Sequence, residues 1–310
     1  MRLDGADCEN DAVLRLSEIQ LRDPFVFVEN GIYYLTGSTD PDIWQADGIG
    51  FDIYQGIAPG VFTEFVGPFK AFRPQAGFWS RKNFWAPELH RFGDGYYLFA
   101  TFLPEQGHRG TAILRADSPL GPFTPWSDGP VTPADWECLD GTLHLDETGD
   151  PWMVFCHEWM QVGDGQVCAM RLSADLKTAA GKPKLLFTAS QAPWSAPLAG
   201  HAPGSYVTDG PFLYRWTDDR LSIVWSSFGP QGNYCIGEAV SETGDLAGPW
   251  TQRDRPLYEA DGGHGMLFSA PDDTCYLAIH TPNQTPHERA IFVEIVETAD
   301  GLAVGEQILR

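Results

Sequence analysis

The chain has 310 residues, 43% of them apolar and 13% aromatic, with 33 Gly, 24 Pro and 11 Trp. Its 42 acidic and 20 basic side chains leave a formal net charge of -22, a field that excludes nucleic acid and anionic membrane surfaces as partners. No run of about 18 apolar residues exists, which excludes a transmembrane helix. Abundant Gly, Pro and aromatic residues without sustained helical periodicity predict many short strands joined by tight turns.

The N-terminus, "MRLDGADCEN", is polar and acidic and has no hydrophobic signal region, so a cytoplasmic protein is expected. The next stretch, "LRDPFVFVENGIYYLTGS" at 21–38, reads as a hairpin. Phe25 to Val28 form one strand, Asn30-Gly31 the turn, and Ile32 to Leu35 the return. The charged pair Arg22-Asp23 capped by Pro24 has no packing reason to stand at its mouth, which marks Asp23 for chemistry. Asp40, Asp42, Asp47 and Asp52 follow without EF-hand spacing and with Pro41 among them, so a solvated insertion is expected there. The stretch from 40 to 83 is long enough to wall one side of a pocket.

The hairpin pattern then recurs. "WAPELHRFGDGYYLFATF", "LDGTLHLDETGDPWMVFCHEW", "TDGPFLYRWTDDRLSIVWSSF" and "GGHGMLFSAPDDTCYLAIHTPN" each show an opener, a short apolar strand, a polar turn and a second, more aromatic strand. Three units close on nearly one phrase: "VGPF" at 66–69, "LGPF" at 120–123 and "AGPW" at 247–250. With Asp23, Pro87, Asp140, Asp209 and Gly263 as equivalent points, the gaps are 64, 53, 69 and 54 residues, room for about four strands per unit. The expected fold is all-β: one five-bladed β-propeller over 1–310, with blades starting near 22, 85, 139, 208 and 262. Cys156, Cys168, Cys235 and Cys275 fall in apolar strands and read as buried thiols. With Cys8 and Cys138 they form no CxxC pair.

In a propeller the first strands line the central channel, so their openers converge. Asp23, the Pro87-Glu88 pair, Asp140, Asp209 and His264 would then face one another across its mouth. One aspartate before Pro or Gly is an ordinary turn residue; three at equivalent repeat points suggest a site. Converging carboxylates suit glycoside hydrolysis, in which one activates water and another donates a proton to the leaving oxygen.

These five openers, "RDPF", "WAPEL", "LDGTL", "TDGPFLY" and "GGHGMLF" in that order, resemble glycoside hydrolase family 43 over nearly the whole chain. The resemblance implies Asp23 as general base and Asp140 as the residue that positions the acid and tunes its pKa. The family's acid is a Glu in a Glu-Gly-Pro motif, whereas this chain has Asp209-Gly210-Pro211. Asp209 in altered geometry, Glu158 of "CHEW", or loss of hydrolysis with binding retained are the competing explanations. Trp85 matches a sugar platform, with a core position as the alternative. His264 matches a histidine facing the axial sugar or ordering a calcium ion, so a structural Ca2+ on the axis is implied and no other cofactor. Arg289 resembles an arginine that contacts sugar hydroxyls; ion pairing with Glu288 or Glu294 is the alternative. His157, His280 and Asn283 are expected near the mouth, and Leu139 replaces an aromatic residue. The implied activity is inverting, exo-acting hydrolysis of α-L-arabinofuranosyl or β-D-xylosyl units of short oligosaccharides. Endo-acting arabinanase or xylanase, a galactofuranosidase, and a non-catalytic sugar-binding propeller are the other readings. The sequence sets no oligomeric state.

Overall fold

Each sequence unit forms one antiparallel sheet in the computed structural model, which describes residues 12–40 and 42–310; Cys8 and Pro41 lie outside the described residues. Blade 1 contains β1 (Leu14–Arg15), β2 (Arg22–Glu29), β3 (Ile32–Ser38), β4 (Phe51–Gly56) and β5 (Glu64–Phe72). Blade 2 contains β6 (Ser80–Phe92), β7 (Gly95–Pro104), β8 (Gly110–Ala116) and β9 (Thr124–Pro125). Blade 3 follows with β10 (Cys138–Leu145), β11 (Pro151–His157), β12 (Gln166–Arg171) and β13 (Lys184–Thr188). Blade 4 has β14 (Asp209–Arg215), β15 (Leu221–Phe228), β16 (Tyr234–Ser241) and β17 (Trp250–Gln252). Blade 5 has β18 (Gly263–Ser269), β19 (Cys275–Thr281), β20 (Arg289–Thr298) and β21 (Gly301–Leu309). Strands pair in sequence order, except that β1 adds to the outer edge of blade 1 against β5. The fold is a five-bladed β-propeller with one single-turn α-helix, α1 (Trp159–Val162), among the described residues.

Turn chemistry acts as the sequence predicts. Asn30 and Gly31 both take positive φ, 52° and 76°, the requirement of a type I′ hairpin turn. The three Gly-Pro phrases share one backbone form, with cis bonds at Gly67-Pro68, Gly121-Pro122 and Gly248-Pro249. Much of the stretch 40–83 is regular sheet, β4 and β5, rather than an insertion. Nor is its aspartate cluster wholly solvated. Asp40 is 4% exposed and accepts from the Ile49 amide, while Asp52 is buried against Arg73.

The core is distributed between blades, as radial packing requires. Phe25, Phe51, Phe102 and Phe292 belong to one cluster joining blades 5, 1 and 2. Phe99, Ile113 and Phe155 pack between blades 2 and 3. Val154, Trp194 and Trp225 fill the gap between blades 3 and 4, and Val224, Leu277 and Ile291 the gap between 4 and 5. Each fully buried large side chain contributes roughly 1.5–3 kcal/mol. Cys156, Cys168 and Cys235 serve as small core residues and Cys138 joins them, whereas Cys275 is only half-buried.

One irregularity repeats in all five inner strands. The register slips between Arg22 and Phe25, Trp85 and Glu88, Leu139 and Thr142, Asp209 and Phe212, and Gly263 and Met266. Each slip is a bulge whose first residue has φ near +50°: Asp23, Ala86, Asp140, Gly210 and His264. The bulge therefore corrects the sequence alignment of blades 2, 4 and 5 by one residue. Asp23, Asp140 and His264 are equivalent, while Asp209 stands one position ahead of its bulge.

The bulge amides knit the ring together. Ala86 N–H donates to Ser38 Oγ at 2.8 Å, Asp140 N–H to Thr101 Oγ1 at 2.9 Å, His264 N–H to Ser226 Oγ at 2.7 Å and Asp23 N–H to His280 Nδ1 at 3.2 Å. Every acceptor sits on the second strand of the preceding blade. Blade 3 has Cys156 at that register position, and a thiol is a weak acceptor. There the Gly210 amide donates to Asp140 Oδ2 at 3.0 Å instead. These bonds satisfy buried backbone donors and fix the openers around a common axis.

Candidate active site

A cleft of about 640 Å³ lies over this end of the inner strands, within the ~300–1,000 Å³ range of small-ligand sites. It gathers Asp23, Asp140, Asp209, Glu158, Trp85 and His264, residues up to 241 positions apart in sequence. Arg289 is not in its lining.

His264 is the hub. Its Nδ1 lies 3.3 Å from Asp23 Oδ1 and 3.6 Å from Asp140 Oδ2. Gly210 is dictated by this approach: its φ is +49°, and a Cβ there would stand 2.7 Å from the His264 ring. Asp23 Oδ2 accepts from the Ser38 hydroxyl at 2.7 Å, and Arg22 Nε lies 3.8 Å from Oδ1. Arg22 is itself tied to buried Glu288 at 2.8 Å and to Asn283 Oδ1 at 2.8 Å. His280 accepts the Asp23 amide at Nδ1, which puts its proton on Nε2, facing Asn283 Oδ1 at 3.3 Å. Asp209 Oδ2 accepts from the Tyr234 hydroxyl at 2.9 Å.

The electrostatics divide the carboxylates. Burial opposes charge on Asp23, but His264, Arg22 and His280, with the Ser38 hydroxyl, outweigh it and hold the group at about 2. Burial lifts Asp140 to about 7 against the pull of His264, with Asp209 and Asp23 adding repulsion. Burial likewise raises Asp209, partly offset by His264 and Tyr234. For His264 burial disfavours the proton, yet the three aspartates prevail and raise its pKa. His280 goes the other way: burial and Arg22 push it down to about 3 and keep it neutral. The centre thus combines a firmly ionised carboxylate, two held toward the neutral form and an imidazolium. One ionised and one protonated carboxyl facing a common cleft is the pair that glycoside hydrolysis uses.

Glu158 stands at the N-cap position of α1 without a side-chain capping bond, and its carboxylate ion-pairs with Arg109. Burial lifts it to about 7 in spite of that partner. The Arg109 guanidinium lies 4.6 Å over the Trp85 ring, and its Nε donates to Asn83 Oδ1 at 3.2 Å. Trp85 is half-buried and donates its indole N–H to Ile43 O at 2.7 Å. Trp44 meets its ring edge-on at 5.2 Å. The rim loop around Ile43, Trp44 and Gln45 forms one wall; with Lys82 and Asn83 it is the part of 40–83 that reaches the cleft.

Arg289 needs correction as a sugar contact. Its Nε donates to Ser17 O and its Nη1 to Pro286 O and Glu288 O. Near it, the Gln20–Arg289 bridge and the Leu21 amide bonded to Glu288 O join blade 5 to blade 1. The arginines in the cleft are Arg22 and Arg109. Arg22 was detectable beside Asp23; Arg109 and Tyr234 carry no local signal. His157 is buried, stacked on Trp136 at 4.0 Å, and outside the cleft lining. His280 is fully buried behind Asp23, and Leu139 does line the cleft.

The residues present fit a calcium ion poorly. Among the described residues no three His, Cys, Asp or Glu side chains converge as a ligand set.

An acidic centre at the axis of a five-bladed propeller defines the class: the protein is a glycoside hydrolase. The profile of the glycosyl hydrolases family 43 matches residues 16–303, and the chain belongs to that family. An endo-arabinase structure from Bacteroides thetaiotaomicron VPI-5482 is 37% identical, covering 93% of this chain and 98% of that one at a TM-score of 0.85. An α-L-arabinofuranosidase from Lactobacillus brevis is 19% identical over 92% of this chain and 93% of its own, at 0.69. A β-xylosidase/α-arabinofuranosidase from a compost microbial metagenome is 16% identical over 98% of each, at 0.68. The last two share the fold. No curated protein matches the chain.

Proposed function

We propose that the protein hydrolyses α-L-arabinofuranosyl linkages of short oligosaccharides with inversion. Asp23 takes a proton from water as the water oxygen attacks the anomeric carbon. Asp209 gives its proton to the departing glycosidic oxygen. Asp140 supports Asp209 by position: its Oδ2 holds the Gly210 amide next to Asp209. The observation that carries this reading is the split between Asp23, held at about 2, and Asp209, held toward its neutral form, in one cleft.

Glu158 is a weaker acid candidate despite its raised pKa. Protonating it would strand the Arg109 charge in a site where both side chains are about nine-tenths covered, a costly arrangement. The rim wall of Ile43, Trp44 and Gln45 supports release of terminal units. A second reading, cleavage within chains, is favoured by the 37% identical neighbour, described as an endo-arabinase.

The test is incubation with 4-nitrophenyl arabinofuranoside, xyloside and galactofuranoside, followed by linear arabino-oligosaccharides. The arabinofuranoside is expected to be cleaved fastest, and Asp23→Asn to lose about 10²–10⁴-fold in kcat. Terminal action releases arabinose alone; internal action releases mixed oligomers. No cleavage of any glycoside, or an Asp23→Asn variant as fast as the parent, would overturn the proposal and favour a sugar-binding propeller.

A further inference from the structure

We propose that the Arg109–Glu158 pair is the recognition element for the leaving sugar, reading two neighbouring hydroxyls of the unit on the far side of the scissile bond. The inference rests on Asp209 being the proton donor, because that assignment fixes which side of the cleft the leaving group occupies. In an inverting reaction water enters on the side of the base and the leaving group departs on the side of the acid. Arg22 and Asn283 cluster with Asp23. Glu158 instead directly follows β11, which packs against β14, the strand that opens on Asp209, so it belongs to the departing side.

The pair is built but incompletely used. Arg109 spends Nη1 on Glu158 Oε2 and Nε on Asn83 Oδ1. Its Nη2 and Glu158 Oε1 have no protein hydrogen-bond partner among the described residues. The two side chains are only 11% and 9% exposed, yet the spare donor and acceptor are not themselves sealed from solvent, so a ligand in the cleft can replace water on both. A vicinal diol supplies both missing bonds. One hydroxyl donates to Oε1, and its neighbour accepts from Nη2. Stacking on Trp85 holds the guanidinium plane still, which preorganises the fork for a two-point contact.

The surroundings suit a sugar ring rather than water alone. Trp159, half-buried and edge-on to His201 at 4.9 Å, and Met160, 65% exposed, project from α1 beside Glu158 and line the same cleft. They offer apolar surface to the ring while the ion pair takes its hydroxyls. An aglycone without hydroxyls gains nothing from the pair, so the device selects oligosaccharides over simple glycosides.

The experiment uses the full chain carrying Asp23→Asn, to prevent turnover. Calorimetry compares α-1,5-arabinobiose with methyl α-L-arabinofuranoside. The expected gain for the disaccharide is about 10- to 100-fold, the worth of one or two charge-assisted hydrogen bonds. Adding Glu158→Gln, or separately Arg109→Lys, should cut that gain to about 3-fold or less and leave methyl glycoside affinity unchanged. The inference is overturned if the disaccharide gains nothing to begin with, or if the gain survives both substitutions. It is also overturned if Glu158→Gln alone, with Asp23 intact, slows phenyl arabinofuranoside far more than 2,4-dinitrophenyl arabinofuranoside, the mark of a lost proton donor. These binding measurements decide the inference even if the parent cleaves no glycoside, an outcome that would sink only the proposed activity.

Discussion

Tyr234→Phe tests the acid assignment through a single atom. The Tyr234 hydroxyl donates to Asp209 Oδ2 at 2.9 Å, and the ring is buried beside Phe228 and His280. Burial is the main force raising Asp209, and the Tyr234 bond works against it by favouring the ionised form. Removing the hydroxyl leaves shape and packing nearly intact and deletes one hydrogen bond to a charged group, worth about 1.5–3 kcal/mol. At 1.36 kcal/mol per unit this raises the Asp209 pKa by about one to two units. An acid catalyst works while protonated and fails as pH rises through its pKa. The basic limb of kcat/KM against pH should therefore move to higher pH by about that amount. The acidic limb, governed by Asp23 near 2, lies below the range assayed. Steady-state rates on 4-nitrophenyl arabinofuranoside across pH 4 to 9 supply the assay. A basic limb that stays put, or moves down, refutes Asp209 as the donor.

Two further outcomes follow from the ring itself. Arg289→Met should leave kcat and KM within about twofold, because the side chain lies outside the cleft lining and ties Ser17 to the blade 5 loop. It should lower the melting temperature by about 2–4 °C, the effect of roughly 1 kcal/mol, and a raised KM would restore Arg289 as a sugar contact. Gly210→Ala puts a Cβ 2.7 Å from the His264 ring at a φ of +49°. A destabilisation of about 1–3 kcal/mol with loss of activity is expected, and unchanged melting and rate would mean the hub is looser than described.

The sequence alone was enough for the architecture. Asn30-Gly31, the repeated Gly-Pro phrases and the alternation of apolar residues act within a few positions of themselves, so a hairpin is written where it forms. Five such units could hardly bury their faces except against one another. The acids were legible for the same reason: Asp23 and Asp140 interrupt strands that otherwise read as pure core.

What only the tertiary structure decided was alignment and partnership. The bulge register puts His264, rather than Gly263, in line with Asp23 and Asp140, and sets Asp209 one step off. A bulge is a relation between two paired strands, and neither strand's composition declares it. Arg109 entered the site through Glu158, and Arg289 left it for Ser17, because long side chains take whatever charge or carbonyl the closed ring brings near. Asp40 reads as a surface acid in its own segment, yet it is buried and lifted to about 6. Local chemistry fixes which elements form; pKa and contact depend on what packs against a residue from elsewhere in the chain, and that exists only after the ring has closed.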